Sequence, residues 1–382
     1  MVAMVTFRMQ DVVLGWQMLE ATDSAFWVGL VAFAHNLPLL IWSPITGMWA
    51  DRPKRRQMIA AALLLSAVTS AVLALVLAFG HASPWHIIAL SFLVGSAFAL
   101  YAPARLALLP NLIPTHVLPR ASAFEYSSTR LMGFFGPMVA GVLVDVLDVA
   151  PTLFIQAVMF ALAAAIFVWS GKTDGSRAHQ GSQAHMLSGL REAVVYLGQD
   201  RPLLALTCLG LVMVPIGMSY QKLMPVFTQD VLGAGASTLG LLLGAVSLGA
   251  ALAGFAVAAT ENTFSQGRTL LLSAALFSGG LIVFAFCSQV ILAVILLFVM
   301  GLIAGVYLTL SNVLFQSRAP DRVRGRILSI WGMIWGLLPF ASLAMGAAAE
   351  RWNVQLAIGA CGAICVVFSV GMALTSSALQ EL

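Results

Sequence analysis

Charged residues are scarce in this chain, and the motifs of soluble enzymes are missing. Only 9% of the 382 residues are charged and 60% are hydrophobic, whereas soluble domains carry about 25% charged residues. The four cysteines have no metal-ligand spacing and indicate no disulfide framework. The sequence has no zinc-protease helix motif, phosphate-binding loop or serine-hydrolase elbow. These absences exclude a soluble enzyme. They predict an all-α polytopic membrane protein with no metal, no cofactor and no nucleic-acid partner.

Long apolar runs predict twelve membrane-spanning helices. A helix needs about 20 apolar residues to cross a bilayer, and its backbone polar groups must be satisfied internally. No basic segment precedes the first run, so no cleavable signal peptide is expected. This run is the weakest, because Arg8 and Asp11 interrupt it. The predicted spans are 2–19, 26–49, 58–79, 85–104, 123–146, 152–170, 203–223, 238–259, 269–286, 291–315, 327–349 and 354–375.

The positions of the basic residues predict the orientation, because Lys and Arg concentrate on the cytoplasmic side of short membrane loops. With both termini in the cytoplasm, fifteen of the 19 Lys and Arg residues lie inside and Arg351 lies outside. The other three, Arg8, Arg130 and Lys222, lie within predicted spans. Lys222 falls near the outer end of the seventh predicted span, where a lysine can extend its amine to water.

The polar residues 171–186 divide the chain into two halves. This segment is rich in Gly and Ser, and apolar residues then recur at helical spacing from Leu187 to Leu197, which predicts a short amphipathic helix on the cytoplasmic membrane surface. The pattern Pro-x-x-Val-x-x-Arg begins at Pro114 and again at Pro320, so the two halves are expected to be pseudo-symmetric. The predicted domains are a six-helix bundle at 1–170, a cytoplasmic linker with this helix at 171–201 and a second six-helix bundle at 202–382.

A short polar loop between the second and third spans carries the pattern Gly-x-x-x-Asp-Arg-x-x-Arg-Arg, from Gly47 to Arg56. It resembles the loop signature of the major facilitator superfamily, which has a second glycine where this chain has Lys54. The resemblance implies a gating loop that works with the cytoplasmic ends of the fourth and eleventh spans. The alternative is that the cations only set the topology. The predicted gating residues are Gly47, Asp51, Arg52, Arg55, Arg56, Arg105, Arg324 and Gly325.

Three further segments sharpen the resemblance. They are Pro103–Pro114, Leu223–Ala236 and Pro320–Ser329, and they are similar to segments of the exporter branch that contains the enterobactin exporter and the transmembrane secretion effectors. The resemblance implies a secondary active transporter with twelve helices in the major facilitator fold. It implies a monomer in the bacterial cytoplasmic (inner) membrane, with both termini cytoplasmic and the lipid bilayer around it. Such a protein would export small amphiphilic molecules, such as drugs, siderophores or secondary metabolites, as a proton-coupled efflux antiporter.

Two departures from this branch leave alternatives open. Only Met1–Thr6 precede the region that matches the branch from Phe7 onward, so either the start codon is misplaced or the first helix is short. No arginine occurs from His86 to Val94, where many drug–proton antiporters carry one, which leaves that route of proton coupling open. The alternatives are an importer or uniporter with the same fold, and a membrane binding or assembly protein that does not transport.

Polar residues inside the predicted spans are candidates for a substrate cavity or for proton coupling, because charges there are expensive. Arg8 and Asp11 are three residues apart and can form an ion pair, with either a structural or a functional role. Asp11 is the best candidate for a titrating group. Asn36 could instead bond a neighbouring carbonyl, and Glu125 could be solvated. The predicted coupling or cavity residues are Arg8, Gln10, Asp11, Gln17, Asn36, Glu125 and Arg130.

The fifth predicted span contains a glycine–proline motif, made of Gly133, Gly136, Pro137 and Gly141. Proline removes a backbone donor and kinks a helix, and the segment resembles the antiporter signature G-P-x-x-G-G with Ala140 in place of one glycine. The alternative is ordinary close packing, which small residues permit. For the glycines from Gly240 to Gly254 in the eighth span, the packing interpretation is favoured.

Overall fold

The computed structural model describes residues 1–50, 55–112, 118–169, 186–259 and 265–376, and every regular element in these ranges is helical. Helices satisfy their own backbone polar groups, which a bilayer requires of any segment exposed to lipid. The predicted all-α class is therefore confirmed.

The described residues before 170 form six long helices. They are α1 (Val2–Thr22), α2 (Ala25–Ala50), α3 (Arg55–Ala78), α4 (Pro84–Leu112), α5 (Leu118–Leu147) and α6 (Val149–Trp169). Tight turns join α1 to α2 and α5 to α6. Asp23 (φ 48°) and Asp148 (φ 69°) take the left-handed conformation in these turns, which Asp tolerates better than most residues. The helix ends on this side of the protein are called outer below, after the orientation that the basic residues predict.

The described residues after 185 form ten further helices, and in two places consecutive short helices belong to a single span. They are α7 (Met186–Gln199), α8 (Arg201–Met213), α9 (Pro215–Ser219), α10 (Met224–Asp230), α11 (Ala236–Ala259), α12 (Gln266–Ala285), α13 (Val290–Arg318), α14 (Asp321–Trp335), α15 (Leu338–Arg351) and α16 (Val354–Thr375). The helix predicted after the polar linker is present as α7. Glu192 on α7 forms an ion pair with Arg326 on α14.

Ten stretches of the described residues are long and apolar enough to cross a membrane. α1 is not among them, because Arg8, Gln10 and Asp11 lower its hydropathy. In α5 the apolar part is the shorter stretch Leu131–Leu147. A multi-pass membrane protein is therefore confirmed, and the count of twelve spans stays a prediction.

Two spans differ from their predicted shape. The seventh, predicted at 203–223, runs from Arg201 to Asp230 and is interrupted along its length. The eleventh, predicted at 327–349, runs from Gly325 to Arg351 and is interrupted after Trp335. The sequence pattern ended the seventh span too early because Lys222 and Pro225 break the apolar run, although Met224–Thr228 is buried helix.

The chain divides into two compact units by its internal contacts. The first unit is Met1–Gly181 with Met224–Gly244, and the second is Ser182–Leu223 with Ala245–Leu382. The later part of the seventh span and the first part of α11 therefore group with the first six helices. The predicted division into domains at the polar linker stays a prediction.

Each unit has its own aromatic core. In the first unit, the Phe7 ring lies 4.8 Å from that of Phe160 and 5.2 Å from that of Tyr101, between centroids. In the second unit, fully buried Tyr220 packs 6.2 Å from Phe277. Aromatic pairs at such distances contribute about 0.5–1.5 kcal/mol each beyond the area they bury, so both cores fix the helices that carry the polar residues described next.

Candidate functional site

An ion pair lies on α1 in the first unit. Nη1 of Arg8 is 3.8 Å from Oδ2 of Asp11, one turn further along the helix. The pairing expected from their spacing is therefore present. The two side chains are 45% and 26% exposed at the surface of the protein. A coupling role for the pair stays a prediction.

α5 approaches α1 beside this pair through Gly136. A Cβ at Gly136 would lie 2.6 Å from Cβ of Arg8 and 2.9 Å from the carbonyl oxygen of Val5. Glycine is therefore required here for close contact between the two helices. Pro137 follows inside α5, which continues as a helix to Leu147.

A buried polar layer lies one turn from the contact between Phe7 and Phe160. Gln10 is fully buried and donates from Nε2 to Oγ of Ser70 at 3.0 Å. Gln156 on α6 is also fully buried, and its amide nitrogen and oxygen have no hydrogen-bond partner among the described residues. Sequence reasoning missed Gln156, because one glutamine in an apolar run makes no periodic pattern.

The remaining predicted cavity residues show no common site in the described part of the chain. Asn36 donates from Nδ2 to the carbonyl oxygen of Ala32 at 2.8 Å, which is the local bond named as its alternative role. Gln17 is 9% exposed. The side chains of Glu125 and Arg130 lie outside what the structure describes.

Much of the predicted gating loop also falls outside the described residues. Asp51 and Arg52 lie in the gap 51–54, and the side chains of Arg55 and Arg324 are not described. Gly47 belongs to α2, Arg56 to α3 and Gly325, which is exposed, to α14. A latch that involves Asp51 stays a prediction.

Arg105 is the gating residue with the best described surroundings. Its Nη2 donates to Oγ1 of Thr129 on α5 at 3.2 Å, and its guanidinium lies 5.8 Å from the centre of the Tyr101 ring. α4 continues to Leu112, so Arg105 lies about two turns before the end of its helix. The candidate membrane span nevertheless ends at Arg105, so the prediction that Arg105 lies at the end of the fourth span is confirmed, and that this end is cytoplasmic stays a prediction.

α5 and the first part of α11 make a close helix contact in the first unit, called the outer seam here. A Cβ at Gly141 would lie 2.2 Å from the carbonyl oxygen of Ala236, and a Cβ at Gly240 would lie 2.3 Å from that of Pro137. Neither position has room for a side chain. The packing interpretation of Gly240 is therefore confirmed, and Gly141 of the glycine–proline motif belongs to the same contact.

Asp145 binds the first turn of α11 at the outer seam. Its Oδ1 accepts the N–H of Ala236 and its Oδ2 accepts the N–H of Ser237, both at 2.9 Å. The first N–H groups of a helix have no partner inside it, and the positive end of the helix dipole favours a carboxylate. Sequence reasoning missed Asp145, because its partners lie 91 and 92 residues away along the chain.

The seventh span is interrupted at two points. α8 ends at Met213 and Pro215 begins the five-residue α9. A 3-10 turn, Tyr220–Leu223, then precedes α10. Prolines cannot donate the backbone hydrogen bond that a continuous helix needs. In secondary transporters, discontinuous helices of this kind form substrate and ion sites near the middle of the bilayer.

Lys222 lies in the 3-10 turn. The span continues for eight residues to Asp230, which places Lys222 about 12 Å from its outer end at 1.5 Å per residue. The prediction that Lys222 lies near that end is therefore wrong. Its neighbours Tyr220 and Leu223 are fully buried, and Lys222 itself is partly exposed. An ionisable residue inside a span points to a functional site by default.

The eleventh span meets the seventh within the second unit. Its break falls between α14 and α15, at Gly336 and Leu337. Oγ of Ser219 on α9 donates to Sδ of Met345 on α15 at 2.6 Å. Trp331 on α14 lies over Gly210 on α8, where a Cβ would come within 2.7 Å of the indole ring. Two interrupted helices therefore pack together beside the segment that carries Lys222.

Comparison with protein families gives one match over the full sequence. The family model described as "Transmembrane secretion effector" covers residues 1–382. Macrolide efflux protein A of Streptococcus pyogenes is 24% identical over 370 residues, which are 93% of this chain and 88% of that protein. The staphyloferrin A transporter of Staphylococcus aureus is 24% identical, over 89% of this chain and 85% of that protein. The multidrug efflux pump Tap of Mycolicibacterium fortuitum is 26% identical, over 84% and 79%.

Solved transporter structures share the fold. A bacterial homologue of the human lysosomal transporter Spinster superposes with a TM-score of 0.75 at 14% identity, covering 99% of this chain and 96% of that one. The nucleoside transporter NupG superposes with a TM-score of 0.71 at 13% identity, covering 98% and 97%. Likeness at this level of identity establishes the major facilitator architecture and leaves the cargo to be argued from the chain itself.

Proposed function

Because this chain belongs to the transmembrane secretion effector family, we propose that it is a secondary exporter of small amphiphilic molecules. It works by alternating access in the bacterial cytoplasmic membrane, with both termini in the cytoplasm. The names of its relatives, which include macrolide, multidrug and siderophore transporters, support outward transport of small molecules.

The interrupted seventh span is the observation that carries the proposal. A transporter binds its cargo near the middle of the bilayer, where broken helices expose backbone and polar groups. Lys222 lies in such a break, in the same turn as the fully buried Tyr220 and Leu223. Its ammonium favours cargo with a carboxylate or another electron-rich oxygen, because charge-assisted hydrogen bonds are roughly twice as strong as neutral ones.

Proton coupling is the second part of the proposal. No nucleotide-binding loop occurs in the sequence, so uphill export draws on an ion gradient. Asp11 is the proposed proton carrier. It lies in the weakest span, beside Arg8, with which it forms an ion pair.

Everted membrane vesicles test the proposal directly. An imposed gradient, acidic inside, should drive accumulation of members of a panel that contains a macrolide, a siderophore and a cationic dye. Lys222→Gln should lower the initial rate for anionic or carbonyl-rich cargo about tenfold, which corresponds to the loss of one charge-assisted bond. Lys222→Arg keeps the charge and serves as the matched control.

Two outcomes contradict the proposal. Gradient-dependent uptake in right-side-out vesicles, without accumulation in everted ones, would identify an importer. Correctly inserted protein that moves no member of the panel in either direction would favour a membrane binding or assembly role.

We also propose that the protein is a monomer. Light scattering during size-exclusion chromatography in detergent tests this oligomeric state.

A further inference from the structure

We infer that Asp145 is the outer gate residue of this transporter, holding the fifth and eighth spans together while the outer side is closed and releasing them once in each cycle. The inference rests on the proposed alternating access. It assigns a role to a residue that belongs neither to the cytoplasmic loop nor to the polar residues of α1.

The geometry of the carboxylate fits a clamp. Both oxygens of Asp145 are used, each by a different backbone N–H at 2.9 Å. Gly235 precedes these donors, and a Cβ there would lie 2.9 Å from Oδ1 and 3.0 Å from Oδ2 of Asp145. The absence of a side chain at Gly235 therefore leaves the carboxylate room to bind the helix end.

The surroundings of the clamp favour release as well as binding. Asp145 is exposed, and Ser237 is partly exposed, so water can replace the two hydrogen bonds when the helices separate. Glu20 on α1 lies close enough to Asp145 and Asp148 for the carboxylates to interact. A contact of this kind contributes a modest free energy, which suits an equilibrium between two states.

The position of the clamp explains why it must open. In the predicted domain division, α5 belongs to the first bundle and α11 to the second, and outward opening separates the outer ends of the two bundles. The contacts of α11 divide along its length: its residues up to Gly244 group with the first unit and those from Ala245 with the second. The clamp lies at the end of α11 that groups with the first unit.

A reversible cross-link tests whether the clamp opens. In a variant that lacks the four native cysteines, Asp145→Cys and Ser237→Cys are joined by oxidation or by a short bifunctional thiosulfonate. Transport should stop when the pair is joined and return after reduction. Each single-cysteine variant receives the same treatment as the control. Undiminished transport by the cross-linked protein would show that the seam is a static contact and would overturn the inference.

A labelling experiment tests the charge without any substrate. Ser237→Cys, in the same cysteine-free background, reports access from outside through its reaction with an impermeant maleimide. Asp145→Asn should speed this reaction about two- to fivefold, because an exposed anion at a helix N-terminus stabilises it by ~0.3–1 kcal/mol. Asp148→Asn is the matched control. It removes a neighbouring charge and keeps the bond from Oγ1 of Thr152 to the Asp148 carbonyl oxygen.

The two experiments separate this inference from the proposed export. Faster labelling in Asp145→Asn alone supports the gate even if no cargo has been found. Equal labelling rates at Ser237→Cys with and without Asp145→Asn would overturn the inference that Asp145 is a gate residue, even where export is demonstrated. Equal acceleration by Asp148→Asn would also overturn it, because outer-face charge in general would then explain the effect.

Discussion

Gly141→Ala tests whether the outer seam is a working part of the transport cycle. The new Cβ would lie 2.2 Å from the carbonyl oxygen of Ala236, whereas ordinary contact begins at 3.4 Å. α5 and α11 must therefore separate by about 1 Å, and overpacking of this kind costs about 1–3 kcal/mol. If the cost falls only on the closed seam, the equilibrium shifts toward the open state about 5- to 150-fold.

Gly301→Ala is the matched control, because it creates an equal clash elsewhere. Its Cβ would lie 2.3 Å from the carbonyl oxygen of Val246, in a contact between α13 and α11 within the second unit. No step of the proposed cycle opens this contact. The cost should therefore appear as a lower free energy of unfolding, with no change in access from outside. Gly279→Ala, where nothing lies within 4 Å of the new Cβ, measures the effect of alanine alone.

Two measurements distinguish a seam that opens during transport from a static packing contact. The rate of maleimide labelling at Ser237→Cys reports the open fraction, and thermal unfolding in detergent reports stability. Gly141→Ala should raise the labelling rate with a small loss of stability, and Gly301→Ala should do the reverse. Loss of stability in both variants, without faster labelling in either, would refute the argument that the seam opens.

Three further predictions concern residues of the first half of the chain. Asp11→Asn should abolish proton-coupled export with normal membrane insertion, because an amide cannot carry the proton; coupling at the wild-type level in vesicles would remove Asp11 from the mechanism. Asp51→Asn should raise thiol labelling at the cytoplasmic mouth and slow transport, because a carboxylate at a helix N-terminus stabilises the contact by ~0.3–2 kcal/mol and the amide would lose this contribution to the closed cytoplasmic side. Unchanged labelling and transport would show that the loop only sets the topology. Gln156→Leu should raise the free energy of unfolding by about 1–3 kcal/mol, since it replaces a buried amide that has no hydrogen-bond partner among the described residues, and a lower thermal midpoint would show that the amide stabilises the bundle.

The ion pair on α1 shows how far local patterns reach. Arg8 and Asp11 are one helical turn apart, so their spacing and the helix geometry together predict the contact that is found. The same holds for the helix α7, whose apolar residues recur at helical spacing. The ends of the membrane spans were harder to predict from the sequence, because hydropathy is averaged over many residues. A lysine or a proline inside a buried stretch then looks like an end, as at Lys222 and Pro225.

The sequence by itself determined the all-helical, multi-pass character of the protein and its family, because scarce charge, long apolar runs and short motifs are local properties of the chain. Tertiary structure decided the rest. It placed Lys222 away from the outer end of its span, matched Gly141 to Ala236 and Gly240 to Pro137, and brought Asp145 to the first turn of α11. Residues about 90 positions apart meet only when helices pack, and in a single sequence such a contact leaves no periodic or compositional trace.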